Sequence, residues 1–207
     1  MLAEAGFPSI RVVCMPDAGF FRMDYPTVQG EPLYTSEQRW VYDTQGVVQM
    51  DAGCISAHPS DTWRCFFSEA NLPYITTPLF VTQDLVDSWQ MSNVLQLPCN
   101  PRATTGSSVC NSTWVSAMNT FRDSMVAAYA PLLHSPVNGG YLSTCYQHCH
   151  QNIDDVYRKE IVGNSTVEAA FWKWWTGGGG GVLLDGEWNT NGQCFGSPYC
   201  AHGENNQ

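Results

Sequence analysis

A chain of 207 residues with 43% hydrophobic and 13% aromatic content is long enough for one sizeable core and too apolar for a disordered segment. Its net charge of −10, from 9 Lys and Arg against 19 Asp and Glu, argues against a nucleic-acid partner and against tight electrostatic binding to a polyanion. No apolar run is long enough to cross a bilayer, so no membrane span is expected.

Ile10 to Met15 is apolar and β-branched, which predicts a buried strand, with Pro16-Asp17-Ala18-Gly19-Phe20-Phe21 as the turn at its end. In open α/β sheets, ligands bind beyond the carboxyl ends of strands, so this turn lies where a site would be. Residues 22–53 read as irregular, punctuated by Pro26, Gly30, Pro32 and Gly46, with Trp40, Val41 and Tyr42 as a short element. Tyr74 to Thr82 reads as a second buried strand, its start blurred by Pro73 and Pro78, and Leu85 to Leu97 as a helix behind it. Residues 98–111 form a Cys/Pro/Ser-rich loop. Trp114, Met118, Phe121, Met125 and Tyr129 recur at helical spacing and predict a helix from about Ser112 to Leu133.

Strand-like Gly140-Tyr141-Leu142 leads into a cysteine- and histidine-rich turn. Ile153, Val156 and Tyr157 mark a short helix. Ser165-Thr166-Val167-Glu168 has capping-box form and opens another helix through Trp175. The glycines from Gly177 to Gly181 read as a flexible loop; no Lys-Ser/Thr follows, so they are no phosphate cradle. Without a repeat or an internal boundary, residues 1–207 read as one unit.

Nine cysteines suggest an oxidising compartment, and the N-x-[ST] sequons at Asn111 and Asn164 lean the same way. Equal short spacings make Cys54 with Cys65 and Cys99 with Cys110 plausible loop staples, and the odd count leaves one cysteine over. Met1-Leu2-Ala3-Glu4-Ala5-Gly6-Phe7-Pro8 lacks the basic and apolar regions of a secretory leader. The chain is therefore expected to be part of a longer protein.

An acid just past a buried strand, followed by a histidine in a cysteine-framed turn, is the back half of a serine-hydrolase triad. Such a triad needs a hydroxyl, an imidazole to take its proton and a carboxylate to orient the imidazole. His148 and Asp87 fit the second and third roles, and the order Ser, Asp, His would put the serine upstream of Met1. Spacing alone leaves Asp84 as a rival acid. It also leaves open a plainer reading, with Asp87 a helix N-terminal acid and His148 a surface residue. No G-x-S-x-G occurs: Gly163-Asn164-Ser165 has Val167 where the second glycine belongs, and Gly106-Ser107-Ser108-Val109-Cys110 is no better. Cys145, His148, Cys149 and His150, with Cys194 and His202, could ligate zinc, but the cysteine background favours disulfides. No metal or cofactor is expected. Trp172, Trp174 and Trp175 are either a sugar-stacking platform or packing aromatics, and Phe20 and Phe21 either line an acyl pocket or pack beneath the sheet.

Several segments carry a family resemblance. In chain order they are Cys14-Met15-Pro16-Asp17-Ala18-Gly19-Phe20-Phe21, Cys65-Phe66-Phe67, Pro73 to Phe80, Asp87-Ser88-Trp89-Gln90 and Cys145-Tyr146-Gln147-His148-Cys149. The stretch from Asp185-Gly186 to Cys194-Phe195-Gly196-Ser197-Pro198-Tyr199-Cys200 echoes the family ending loosely. Together they resemble the C-terminal part of the pectin acetylesterase family, which also includes the Notum carboxylesterases. The resemblance implies an α/β-hydrolase-like fold (a flavodoxin-like sheet with flanking helices), incomplete on its N-terminal side. It implies Asp87 as the acid and His148 as the base, with Asp84 set aside. The activity implied is ester hydrolysis on acetylated polysaccharide, or on a protein-bound acyl group, by a secreted or cell-wall protein. The family's G-x-S-A-G-G nucleophile segment and its oxyanion-hole glycines have no counterpart here. The glycine run also departs from the family. The isolated chain is thus expected to be inactive and poorly soluble. The competing class is a glycan binder that has shed its nucleophile.

Overall fold

The computed structural model describes residues 11–103, 105–149, 154–177 and 180–186. Three parallel strands, β1 (Phe80–Asp84), β2 (Gly139–Ser143) and β3 (Gly181–Leu184), lie in that order. β1 and β2 are buried throughout. Side-chain alternation splits the core in two, as strand geometry demands. Leu79, Val81 and Leu142 face one way, onto Met118, Phe121, Met125 and Leu132. Phe80 and Tyr141 face the other, onto Val162, Val167 and Trp174. Helices therefore cover both faces, giving the three-layer α/β arrangement expected. At Gly139 a Cβ would sit 2.6 Å from the Trp174 ring and 2.8 Å from that of Phe80, so only glycine lets the indole reach β2.

The described part (11–15) of the segment expected as a buried strand at 10–15 is instead the outer edge of the sheet. Cys14 and Asp17 form isolated parallel bridges with Leu79 and Thr82. The backbone ladder runs Cys14 N to Pro78 O, Phe80 N to Cys14 O, Thr82 N to Pro16 O and Ala18 N to Thr82 O. The rung that Pro16 would donate is absent because proline has no N–H, which breaks the strand into bridges. Val12 is 49% exposed and Cys14 is exposed too.

Residues 22–53, expected to be irregular, contain α1 (Leu33–Gln45), ended by Gly46 at φ 61 with its N–H on Tyr42 O. α2 (Ala52–Ala57) follows, capped by Asp51, and then α3 (Ser68–Asn71). A disulfide joins Cys54 to Cys65 and another joins Cys99 to Cys110, both as the spacing suggested. The expected strand at 74–82 is shorter and later, because Leu72–Tyr74 form a 3-10 turn and pairing with β2 begins at Phe80. The helix expected over 85–97 shrinks to α4 (Ser88–Asn93): Asp87 caps its start, and Gln96 turns left-handed at φ 54 soon after its end. The long helix divides into α5 (Ser112–Ala128) and α6 (Ala130–Leu133), since Pro131 cannot donate into a continuous ladder. Past α7 (Asp154–Lys159), α8 (Val167–Gly177) is capped by the Thr166 hydroxyl, which accepts from Ala169 N, so the cap lies one residue later than expected. Gly181 belongs to β3, so the glycine run is not wholly a loop. Cys194, Cys200 and His202 lie outside the described residues.

Candidate active site

The chain leaves β1 buried. Asp84, Leu85, Val86 and Asp87 are all 0% exposed, and the turn they make places Asp87 at the N-terminus of α4. Asp is a favoured residue there because its carboxylate accepts an otherwise orphaned helix N–H. Oδ1 of Asp87 accepts from Gln90 N at 2.8 Å. Oδ2 points the other way and lies 2.7 Å from Nδ1 of His148. His148 follows β2 on a turn pinned by Ser88 N donating to Gln147 O. Two adjacent parallel strands thus deliver an acid and an imidazole to the same carboxyl-terminal edge of the sheet.

His148 is half-buried, with 31% of its side chain exposed. The hydrogen bond to Asp87 holds it above the usual histidine value, partial burial pulls it down, and the charges of Asp87, Asp84 and Asp17 add to the rise. Cys149 follows in the left-handed region at φ 71, a conformation that non-glycine residues adopt at a cost.

Asp84, the rival acid, ends β1 and binds the Ser143 hydroxyl rather than the imidazole. Its carboxylate, the Cys145 sulfur and the Glu160 carboxylate form a buried group. The Cys145 sulfur is tied up in a disulfide, which removes it from the zinc set that the sequence allowed. His150 lies outside the described residues.

The turn after the edge segment closes the site. Ala18 adopts a left-handed φ of 49, which folds Phe20 back under the sheet. Phe20 is core, its ring packed 4.2 Å from that of Tyr129 at a tilt of 30°. Phe21 diverges from it: its ring lies 6.3 Å from that of His148 and 5.1 Å from that of Trp89, which in turn meets Tyr34 at 5.6 Å. The pair is therefore divided between the two readings, one residue packing and the other flanking the imidazole. The three tryptophans divide likewise. Trp174 is core and donates to Val137 O, Trp175 is half-buried with the Arg11 guanidinium 4.7 Å over its ring, and Trp172 is 63% exposed.

Sequence reasoning missed Gln83 and Gln90, both 0% exposed, and the bracing of the turn by Glu69. Glu69 pairs with Arg22 at 2.5 Å and accepts from Met23 N at 2.8 Å. β1 reads Phe-Val-Thr-Gln-Asp, polar at three of its five positions, so no local pattern singled out Gln83.

A family model described as Pectinacetylesterase matches residues 3–195. Pectin acetylesterase 5 of Arabidopsis thaliana is 25% identical over 195 residues, covering 89% of this chain and 45% of that protein. Pectin acetylesterase 11 of the same plant is 28% identical over 145 residues, 67% of this chain and 37% of its own length. Among solved structures, the Wnt deacylase Notum from Drosophila superposes with a TM-score of 0.70 over 90% of this chain and 49% of that one, at 19% identity, a likeness of fold. The chain spans less than half the length of each of these proteins.

Proposed function

The chain belongs to the pectinacetylesterase family, and on that premise we propose that it carries the acid and the general base of a carboxylic ester hydrolase. The observation that supports this most directly is the 2.7 Å contact between Nδ1 of His148 and a fully buried carboxylate whose other oxygen is held by a helix cap. Binding Nδ1 to Asp87 fixes the tautomer and leaves Nε2 as the proton acceptor. In the reaction proposed, a serine attacks the ester carbonyl and His148 takes its proton. His148 then returns a proton to the departing alcohol, and water repeats the cycle on the acyl-enzyme. Asp87 stabilises the imidazolium formed in each half. The serine and the oxyanion donors are supplied by polypeptide outside these 207 residues, in keeping with the missing G-x-S-x-G and the greater length of the relatives.

The substrate proposed is an acetyl ester on pectin or a similar cell-wall polysaccharide. Phe21 flanks His148 and packs on the rings of Trp89 and Tyr34, an aromatic wall beside which the acyl group is proposed to sit. The two disulfides support a secreted protein, and Asn111 can carry a glycan, since it is exposed and, among the described residues, spends only its Oδ1, on Trp114 N. Acetyl and octanoyl aryl esters and acetylated pectin, offered to the chain joined to a nucleophile-bearing N-terminal region, test the proposal. Expected are acetate release, preference for the acetyl ester, and loss of turnover in Asp87→Asn and His148→Gln. Full activity in either variant would sink the assignment; an octanoyl preference would favour a lipid deacylase. The 207-residue chain alone is expected to be inactive.

A further inference from the structure

We propose that Gln83 is a positioning residue that locks the Phe20–Phe21 turn to the carboxylate receiving the His148 N–H; its value to turnover rests on the reading above, but the lock itself does not.

Gln83 occupies the interior of β1, where burial of an amide is costly unless every polar atom finds a partner. It finds them on three sides. Oε1 accepts from Phe20 N at 3.1 Å, and Nε2 donates to Asp84 O at 3.2 Å and to Asp87 Oδ2 at 3.3 Å. That last oxygen is the one facing the imidazole, so the carboxylate is held at Oδ1 by the helix and at Oδ2 by two donors at once. Gln90 completes the turn: its Oε1 accepts from Arg22 N at 3.0 Å and its Nε2 donates to Phe20 O at 2.9 Å. Two buried amides thereby satisfy the backbone at Phe20 and Arg22. Phe21 lies between them, with its ring toward His148. Among the described residues, only the Gln83 side chain hydrogen-bonds both the turn and the carboxylate. Gln90 reaches Asp87 through its main chain, which a substitution leaves in place.

The two glutamines are therefore expected to differ in a way that a shared packing role does not predict. The experiment is an NMR titration of the chain joined to a nucleophile-bearing N-terminal region, with labelled histidine and phenylalanine, comparing wild type, Gln83→Met and Gln90→Met. Methionine keeps the length of the side chain and removes its hydrogen bonds. In Gln83→Met, the Asp87 charge is no longer shared with the amide and falls more fully on the imidazolium. The His148 midpoint is expected to rise by about 0.5 pH, and the Phe21–His148 cross-peak to weaken. In Gln90→Met the cross-peak weakens and the midpoint stays. Asp84 and Asp17, the other charges acting on His148, are unchanged in both variants. If Gln83→Met does not fold, Gln83→Asn, whose amide is one methylene too short for Asp87, is expected to raise the midpoint alike. An unmoved midpoint in the Gln83 variant, or equal shifts in the two glutamine variants, overturns the proposal. No turnover is measured, so failure here leaves the esterase reading standing, and an inactive enzyme leaves the lock standing.

Discussion

The carboxylate of Asp87 serves two partners, one near in the chain and one distant: one oxygen closes α4 on Gln90 N, and the other meets Nδ1 of His148. Asparagine separates the two duties, because it is as good a helix cap as aspartate but carries no charge. Asp87→Asn is expected to keep the fold and to let the His148 midpoint fall toward the ordinary value of about 6.5. In the esterase proposed above, turnover should drop by about 10⁴-fold, the scale on which a triad suffers from a wrong tautomer. Asp87→Ala adds the loss of the cap, about 1 kcal/mol of stability. Histidine-labelled NMR and chemical denaturation read these effects separately; a wild-type midpoint in Asp87→Asn would disconnect the pair.

The same contact gives stability a pH dependence of definite sign. The folded-state value of His148 is raised, first by its hydrogen bond to Asp87. Its contribution is therefore complete below the unfolded value of about 6.5 and is lost as pH climbs through the higher folded value. Urea midpoints measured from pH 6 to 9 should decline across that window in wild type. His148→Gln should flatten that part of the curve. A wild-type profile that rises with pH there, with no change in His148→Gln, would contradict the sign.

Much of this architecture was written in local pattern. The helical spacing of Met118, Phe121 and Met125 and the apolar run around Phe80 and Val81 located the main core elements, because each must bury one face. α1 escaped because only Tyr34 and Thr35 are buried along it; a helix so largely solvated leaves little apolar stripe to read. The edge segment misled for the opposite reason: an apolar run announces burial, yet whether a partner strand covers it is a matter of topology. At the site, the order of acid and histidine brought Asp87 and His148 forward as candidates but left Asp84 open, and the motif resemblance favoured Asp87, since a 2.7 Å contact between distant residues leaves no trace in spacing. The glutamine bridges were invisible for the same reason.

The Cys54–Cys65 disulfide joins α2 to the 3-10 turn at Thr62–Phe66, which leads directly to Phe67 and α3. Phe67 packs on Tyr34 at 6.0 Å, and Ser68 donates to Gly19 O at 2.8 Å, so this small lobe braces the turn that holds Phe21. Replacing both cysteines with alanine is expected to cost about 2–4 kcal/mol, largely by freeing the unfolded chain. Denaturation under non-reducing conditions measures it. The Phe21–His148 cross-peak should weaken in the same variant, whereas an intact cross-peak would show that the lobe does not brace the turn.

Tyr129 offers a prediction of the opposite sign. Its side chain is 0% exposed, and its hydroxyl has no hydrogen-bond partner among the described residues. Burial raises the hydroxyl's pKa well above the ordinary value, and the nearby negative charge of Asp87 raises it further, so it stays protonated throughout the working range. A buried hydroxyl without a partner forfeits its hydration and recovers nothing, at a cost of about 1–3 kcal/mol. Phenylalanine keeps the ring that packs on Phe20 at 4.2 Å and removes the stranded oxygen. Tyr129→Phe is therefore expected to stabilise the chain by about 1 kcal/mol, with the small void left by the oxygen offsetting part of the gain. At this chain length that corresponds to a rise in Tm of about 2–4 °C. Calorimetry decides it: a fall in Tm would mean that the hydroxyl is satisfied by an ordered water, placing a polar void beside Asp87.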